Sequence, residues 1–285
     1  MTTLRTLEKI NIEEIKDVFN TAFADYFVSV SMTTDQMKLK FYSENIALNY
    51  SVGAFYNNRL IGFILHFYRN ENGKRQIYNG GTGVIEEFRG KGLTQKMYNF
   101  ILPKLKLENI SIIRLEVLSQ NIQAIKSYQK VGFEKSKMLQ CFNGNPIMDN
   151  PNNTIEIKKL LAYEWEKLTS FWSIEPTWQN SIATIENLKD HLKSFSAFSE
   201  NNLVGYIIFN INSNRIMQIA VDKKHRNKGI GKSLVQKIVE IANHPISIIN
   251  IDNSHIETIH FFEKISLINH ANQIELQINY HHSQK

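Results

Sequence analysis

One nine-residue phrase occurs twice in this chain. Residues 86–94 read EEFRGKGLT and residues 223–231 read KKHRNKGIG, each with Arg-x-x-Gly, and 137 positions separate Arg89 from Arg226. The surroundings repeat as well. Short apolar strands lead into the loop, and a helix, a buried strand and a second short helix follow it. A chain of 285 residues has room for two ordinary domains. A repeated strand–loop–helix–strand–helix series therefore predicts two α/β units.

In the first half, VGAFYNN and LIGFILHFY predict two strands around a turn at Tyr56–Arg59. QIYNGGTGVI predicts a third strand, with a bulge among Gly80, Gly81 and Gly83. Leu93, Met97, Ile101 and Leu105 recur four apart and predict a helix that Pro103 kinks or ends. SIIRLEVL is a buried strand, and NIQAIKSYQKVGF a short helix with Asn121 as N-cap and Gly132 as its stop. The second half gives SAFSEN, LVGYIIFN and RIMQIAV as strands. A helix striped by Ile230, Leu234, Ile238 and Ile241 comes next, then the strand ISIINI and the helix ETIHFFEKI. The turn-rich stretch NGNPIMDNPNN at 143–153 marks the seam, which gives domains at 1–148 and 149–285.

Composition narrows the class. The apolar fraction of 42% and charged fraction of 21% are those of a soluble globular protein. The N-terminus mixes apolar and charged residues unlike a signal peptide, and no run is long enough to span a bilayer, so a cytoplasmic protein is expected. One cysteine, Cys141, excludes an internal disulfide framework, and no metal site is expected. The net charge of +6 admits a nucleic-acid partner, but the lysines alternate with acids, as in YEWEK and IENLKDHLK. An anion site for a small ligand accounts for them better. Nothing in the sequence bears on oligomeric state. Trp165, Trp172 and Trp178 suit packing better than a pocket, and His281 and His282 suit an exposed tail.

A glycine-bearing turn from strand to helix directs unpaired backbone N–H groups into one concave space, where the helix dipole adds positive potential. Arg89, Lys91, Arg226 and Lys228 are expected to strengthen that potential at the rim. The arrangement suits a pyrophosphate. Gly231-Lys232-Ser233 imitates the end of a P-loop, but Arg226 stands where its first glycine is required, and neither loop has G-x-G-x-x-G.

These residues resemble the GNAT-type N-acetyltransferases, whose acetyl-CoA loop reads Gln/Arg-x-x-Gly-x-Gly/Ala after a strand ending in an aliphatic residue. Arg226, Gly229 and Gly231 match in full, with Val221 five residues before the arginine. Arg89, Gly92 and Val84 match at the same spacing, but Thr94 departs from the final small residue. LEVLSQNIQAIKSYQKVGF (115–133) is similar to the family's strand, Asn-headed helix and closing Tyr-x-x-x-Gly-Phe.

The resemblance implies an α+β fold of two GNAT domains in tandem. Each is a bent, mostly antiparallel sheet, splayed between its fourth and fifth strands and flanked by helices. It implies acetyl-CoA as cosubstrate, with pantetheine along Gly83 and Val84 or Ala220 and Val221. The pyrophosphate would lie on Arg89, Gly90, Lys91, Gly92, Leu93 and Thr94, or on Arg226, Asn227, Lys228, Gly229, Ile230 and Gly231. Asn121 would add a contact. The implied reaction is direct attack of a primary amine, from a small molecule or peptide, on the thioester. Tyr128 is the candidate acid, and Glu116, on the face of its strand opposite Leu115 and Val117, is the candidate base. Aligning the closing helices pairs Tyr128 with Phe262, Glu116 with Asn250, Asn121 with His255 and Gly132 with Ser266. The first half is therefore expected to turn over, and the second to bind CoA or serve structure. Two other readings stand beside this one. One is a CoA-binding sensor without turnover. The other makes the second half the enzyme, as in tandem proteins similar to mycothiol synthases.

Overall fold

The hairpin at Tyr56–Arg59 shows how local chemistry builds this fold. Asn57 and Asn58 sit at φ 48° and 62°, the left-handed region that two-residue hairpin turns need and asparagine tolerates. The computed structural model describes residues 1–27, 30–71, 73–147, 154–243 and 245–280.

The first half runs β1 (Thr2–Thr6), α1 (Ile12–Phe23), α2 (Thr34–Glu44), β2 (Val52–Tyr56), β3 (Arg59–Glu71), β4 (Lys74–Val84), α3 (Leu93–Leu107), β5 (Ile110–Leu118), α4 (Ile122–Gln129) and β6 (Glu134–Gly144). The second runs β7 (Glu156–Lys159), α5 (Trp165–Thr169), α6 (Ile182–Leu188), β8 (Leu192–Ser199), β9 (Asn202–Asn210), β10 (Arg215–Val221), α7 (Ile230–Val239), β11 (Ile246–Asp252), α8 (Ile256–Lys264) and β12 (Ile268–Asn279). Among the described residues no helix is long and apolar enough to cross a membrane.

Backbone contacts divide the chain into Met1–Ser136 with Ile274–Lys285, and Lys137–Gln273. The expected boundary at 148/149 falls in 148–153, outside the described residues. The division by contact passes instead through β6 and β12, so most of β6 serves the second unit and the end of β12 serves the first. In the first unit the strand order is β1-β2-β3-β4-β5 followed by the end of β12; in the second it is β6-β11-β10-β9-β8-β7. Both sheets are mixed, with parallel pairs only at β4–β5 and β10–β11 among the pairings described.

Alternation sets the faces. Ile77, Ile113, Leu115 and Val117 join Met97, Tyr98, Ile101 and Leu105 of α3 in one core. The opposite face carries Phe63 against Phe19 of α1, and Phe67 against Phe41 of α2. In the second unit Ile230, Leu234 and Ile238 of α7 pack with Ile207, Phe209 and Ile248. The α3 helix does not end at Pro103 but continues to Leu107. Pro103 lies on the solvent side, where water can satisfy the carbonyl it leaves unbonded. Ile241 of the expected stripe lies beyond the end of α7.

Candidate active site

The β4–β5 pairing stops early. It runs from Arg75–Ile110 to Tyr78–Arg114, although β4 continues to Val84 and β5 to Leu118. The remaining halves diverge, which opens the expected splay beside Gly83 and Val84. The β10–β11 pairing is shorter still, at Arg215–Ser247, so the second unit is open beside Ala220 and Val221. A bulge precedes each opening, with register shifts at Leu65/His66 opposite Gly80 and at Ile216/Gln218. In the first unit the Asn79 side chain closes that bulge, accepting from Gly81 N–H at 3.0 Å.

Below each opening lies the repeated loop. Gly90 and Gly92 take φ 74° and 69°, and Asn227 and Gly229 take 60° and 82°. Two left-handed residues two apart turn the chain sharply into the following helix. The first bond of α3 runs from Lys96 N–H to Gly92 O, and that of α7 from Ser233 N–H to Gly229 O, both 3.0 Å. The amides of Leu93, Thr94, Ile230 and Gly231 precede those bonds and so lie at open helix N-termini. A Cβ on Gly90 or Gly92 would meet nothing within 4 Å, so the space over the first loop is open.

The two arginines do not point into that space, contrary to expectation. Arg89 Nε donates to Val84 O at 3.1 Å, and its Nη2 to Ala22 O at 3.0 Å. Both terminal nitrogens also pair with Asp25, at 2.5 and 2.6 Å. Arg226 repeats the arrangement, with Nε on Val221 O and Nη2 on Phe171 O, each at 3.1 Å. Each arginine therefore ties the end of its strand to the chain at or after the unit's first helix. That tie explains the five-residue spacing from the valine. Lys91 folds back to Glu87 O at 2.9 Å.

Thr94 also has a physical counterpart. At the matching Gly231 a Cβ would come within 2.9 Å of the Phe261 ring. The residue aligned with Phe261 in the first unit is Ser127. A small α4 side chain accompanies the larger loop residue, and a large α8 side chain accompanies glycine.

Tyr128 and Glu116 approach the first opening from opposite faces of the sheet. Asn121 caps α4, accepting from Ala124 N–H at 3.1 Å, and Gly132 ends the turn beyond it at φ 100°. That leaves the Tyr128 ring edge-on to Tyr98 and Phe133 at 6.0 and 5.6 Å. Burial pushes its hydroxyl up to about 12, and the neighbouring Thr82 and Asn79 of β4 act against that rise. Asn79 Nδ2 donates to Thr82 Oγ1 at 2.8 Å and to Tyr98 Oη at 2.6 Å. Asn121 Nδ2 also reaches Tyr26 Oη at 3.5 Å. On the other face, Glu116 accepts from Tyr78 Oη at 2.5 Å. Loss of solvation, with the charges of Glu275 and Glu44, pushes its carboxyl up to about 7; Tyr78 and Lys40 act against that rise. Sequence reading had not found Asn79, Thr82, Tyr98, Tyr78 or Asp25, because their relevance comes from pairings across the sheet.

The second opening is filled differently. Phe262 is fully buried against Phe142, with ring centroids 5.8 Å apart. Asn250 sits at φ 63° in a bulge of β11, and its side-chain oxygen accepts from Gln273 Nε2 at 3.2 Å. His255 begins α8 without a side-chain cap bond, and Ser266 takes φ 66° where Gly132 stands in the first unit. Tyr206, the register counterpart of Phe63, accepts from Trp172 Nε1 at 2.5 Å and donates to Gln218 Oε1 at 2.8 Å. Gln218 in turn donates to Asn180 O at 2.7 Å. This network occupies the face that Gly81 and Phe63 border in the first unit. His281 and His282 lie outside the described residues.

Comparison with known proteins gives a consistent answer. The family model described as "Acetyltransferase (GNAT) family" matches residues 14–133 and again 157–266. Spermine/spermidine N(1)-acetyltransferase of Bacillus subtilis is 29% identical over 147 residues, which is 49% of this chain and 96% of that protein. Among solved structures, a GCN5-related N-acetyltransferase from Sphaerobacter thermophilus superposes with a TM-score of 0.75 at 10% identity, covering 98% of this chain and 95% of that one. A tandem GNAT protein from the clavulanic acid biosynthesis pathway gives 0.73 at 9% identity, covering 98% of each chain.

Proposed function

The chain belongs to the GNAT acetyltransferase family, and from that premise we propose that its first unit moves acetyl from acetyl-CoA to a primary amine. The observation that supports this most is the placement of Glu116 and Tyr128 on opposite faces of one opened sheet. Backbone amides at Gly90–Thr94 and the N-terminus of α3 receive the pyrophosphate, and β4 at Gly83 and Val84 pairs with pantetheine. An N–H of β4 holds the carbonyl oxygen as it becomes negative.

On the α1/α2 face, Glu116 takes a proton from the acceptor amine, whose lone pair forms the new bond to the carbonyl carbon. A carboxyl held near 7 divides between its two forms at neutral pH, which suits a general base. As the C–S bond breaks, Tyr128 on the α3/α4 face protonates the departing thiolate. A phenol near 12 is a weak acid for a thiol of about 8.5, so the transfer depends on the Tyr128 hydroxyl being held against the departing thiolate. One proton leaves and another enters on different faces, and the products are an N-acetyl amine and CoA.

The acceptor is a primary amine of a small molecule or a peptide. The Bacillus subtilis relative, named for spermine and spermidine, points to polyamines within that class. The second unit holds CoA or stabilises the chain without catalysis, a reading supported by Phe262 and Asn250 in the two proton-carrying positions. Calorimetry with acetyl-CoA tests the cofactor loops. Gly92→Val and Gly229→Val place β-branched residues at φ 69° and 82°, and the double variant is expected to lose all CoA binding. Undiminished binding by a folded double variant would overturn the assignment.

A further inference from the structure

The last strand of the chain brings a carboxylate to the first unit. Tyr280 N–H donates to Ser111 O at 2.9 Å, and β5 and β12 are hydrogen-bonded neighbours. Counting back five residues along β12 and forward five along β5 sets Glu275 opposite Glu116, where its charge acts on the Glu116 carboxyl. Alternation agrees with this register. Leu276 packs with Leu115 and Val117 in the core, so Glu275 and Glu116 share the α1/α2 face. Glu44, at the end of α2, also acts on Glu116.

The three carboxylates differ in what satisfies them. Lys40 Nζ binds both oxygens of Glu44, at 2.7 and 2.8 Å, and Tyr78 donates to Glu116. Glu275 is only 5% exposed, yet among the described residues no hydrogen bond or ion pair meets its carboxylate. An ionised carboxylate can only accept, so a donor from a ligand or from water completes it. Among the described residues no three such groups stand close enough together to hold a metal ion. An ammonium, with three N–H donors and a longer reach, fits the spacing better.

We propose that Glu275 anchors an ammonium group of the acceptor, and so favours acceptors that carry a second positive charge beside the reacting amine. This rests on the acetyl-transfer reading above and names a specificity residue within it. Lys40 offsets Glu44, which leaves Glu116 and Glu275 facing each other, and a diamine supplies one nitrogen to each. The reacting amine is deprotonated at Glu116, while the other stays protonated against Glu275.

The test uses the full chain and two probes, 1,4-diaminobutane and n-butylamine, by calorimetry and by acetyl-transfer kinetics. Glu275→Gln should weaken diamine affinity at least about tenfold more than butylamine affinity, the scale of truncating one partner of a buried charge pair. Glu275→Asp should recover part of the preference. Removing a buried like charge should leave the thermal midpoint of Glu275→Gln no lower than that of the wild type. A folded Glu275→Gln that keeps the wild-type preference for the diamine would overturn the proposal. Diamine binding that depends on Glu275 in a wild-type protein that transfers no acetyl group would support the anchor and refute the acetyl-transfer reading instead.

Discussion

The two openings share a frame and differ in what lines it. In both units a bulge precedes the divergence of two parallel strands, and an arginine ties the strand end five residues back. The loop then turns through two left-handed residues into a helix. Around the first opening stand a carboxyl near 7 and a buried phenol beside β4. Around the second stand a buried phenylalanine, a bulged asparagine and a bonded chain through Trp172, Tyr206, Gln218 and Asn180. The contrast separates two demands within one motif. An anion site built from backbone N–H groups does not depend on side-chain identity, whereas proton transfer does.

The largest expected effect comes from the side chains that the second unit lacks. Tyr128→Phe or Glu116→Gln should lower the turnover number by about a hundred- to ten-thousandfold, with little change in acetyl-CoA affinity. Phe262→Leu and Asn250→Asp should leave turnover near the wild-type level. Steady-state kinetics on all four variants checks this; wild-type rates in Tyr128→Phe would return that residue to a packing role.

A smaller effect should appear with pH. The Glu116 carboxyl lies at about 7, raised from its ordinary 4.5, so it is protonated in the folded enzyme below that point and cannot accept the amine proton. The ratio kcat/KM should therefore fall about tenfold per unit of pH below about 7 and level off above it, apart from the acceptor's own titration. Glu116→Gln should erase that limb. Stability moves in the opposite sense. The raised folded pKa favours the folded form at low pH, and this contribution is lost as pH rises from about 4.5 through about 7.

Much of the frame was legible in the sequence because it rests on local chemistry. Asn57-Asn58, the glycines near position 80, the four-residue stripe of α3 and the Asn121 cap each report a conformation through the residue that adopts it. Glu116 was placed correctly on its face by simple alternation with Leu115 and Val117. What escaped depends on pairing between distant positions. Arg89, expected to add positive potential at the rim of the loop, pairs with Asp25, 64 residues away in sequence. Glu275 escaped for a similar reason: alternation in QIELQINY marks a strand, but not that its end joins the first unit's sheet. Pro103 does not end α3 because the stripe of Leu93, Met97, Ile101 and Leu105 leaves it on the exposed face.

The central claim is that acetyl transfer belongs to the first opening alone. The most direct measurement is the multiple-turnover transfer rate of Gly92→Val with acetyl-CoA and an amine that the wild type acetylates, alongside calorimetry for CoA. With the first loop disabled and the second intact, transfer should fall at least about a hundredfold, the scale of misplacing one reactant by an ångström, while any CoA site at Arg226–Gly231 is retained. A Gly92→Val rate comparable to that of the wild type would place the chemistry in the second unit and contradict the account.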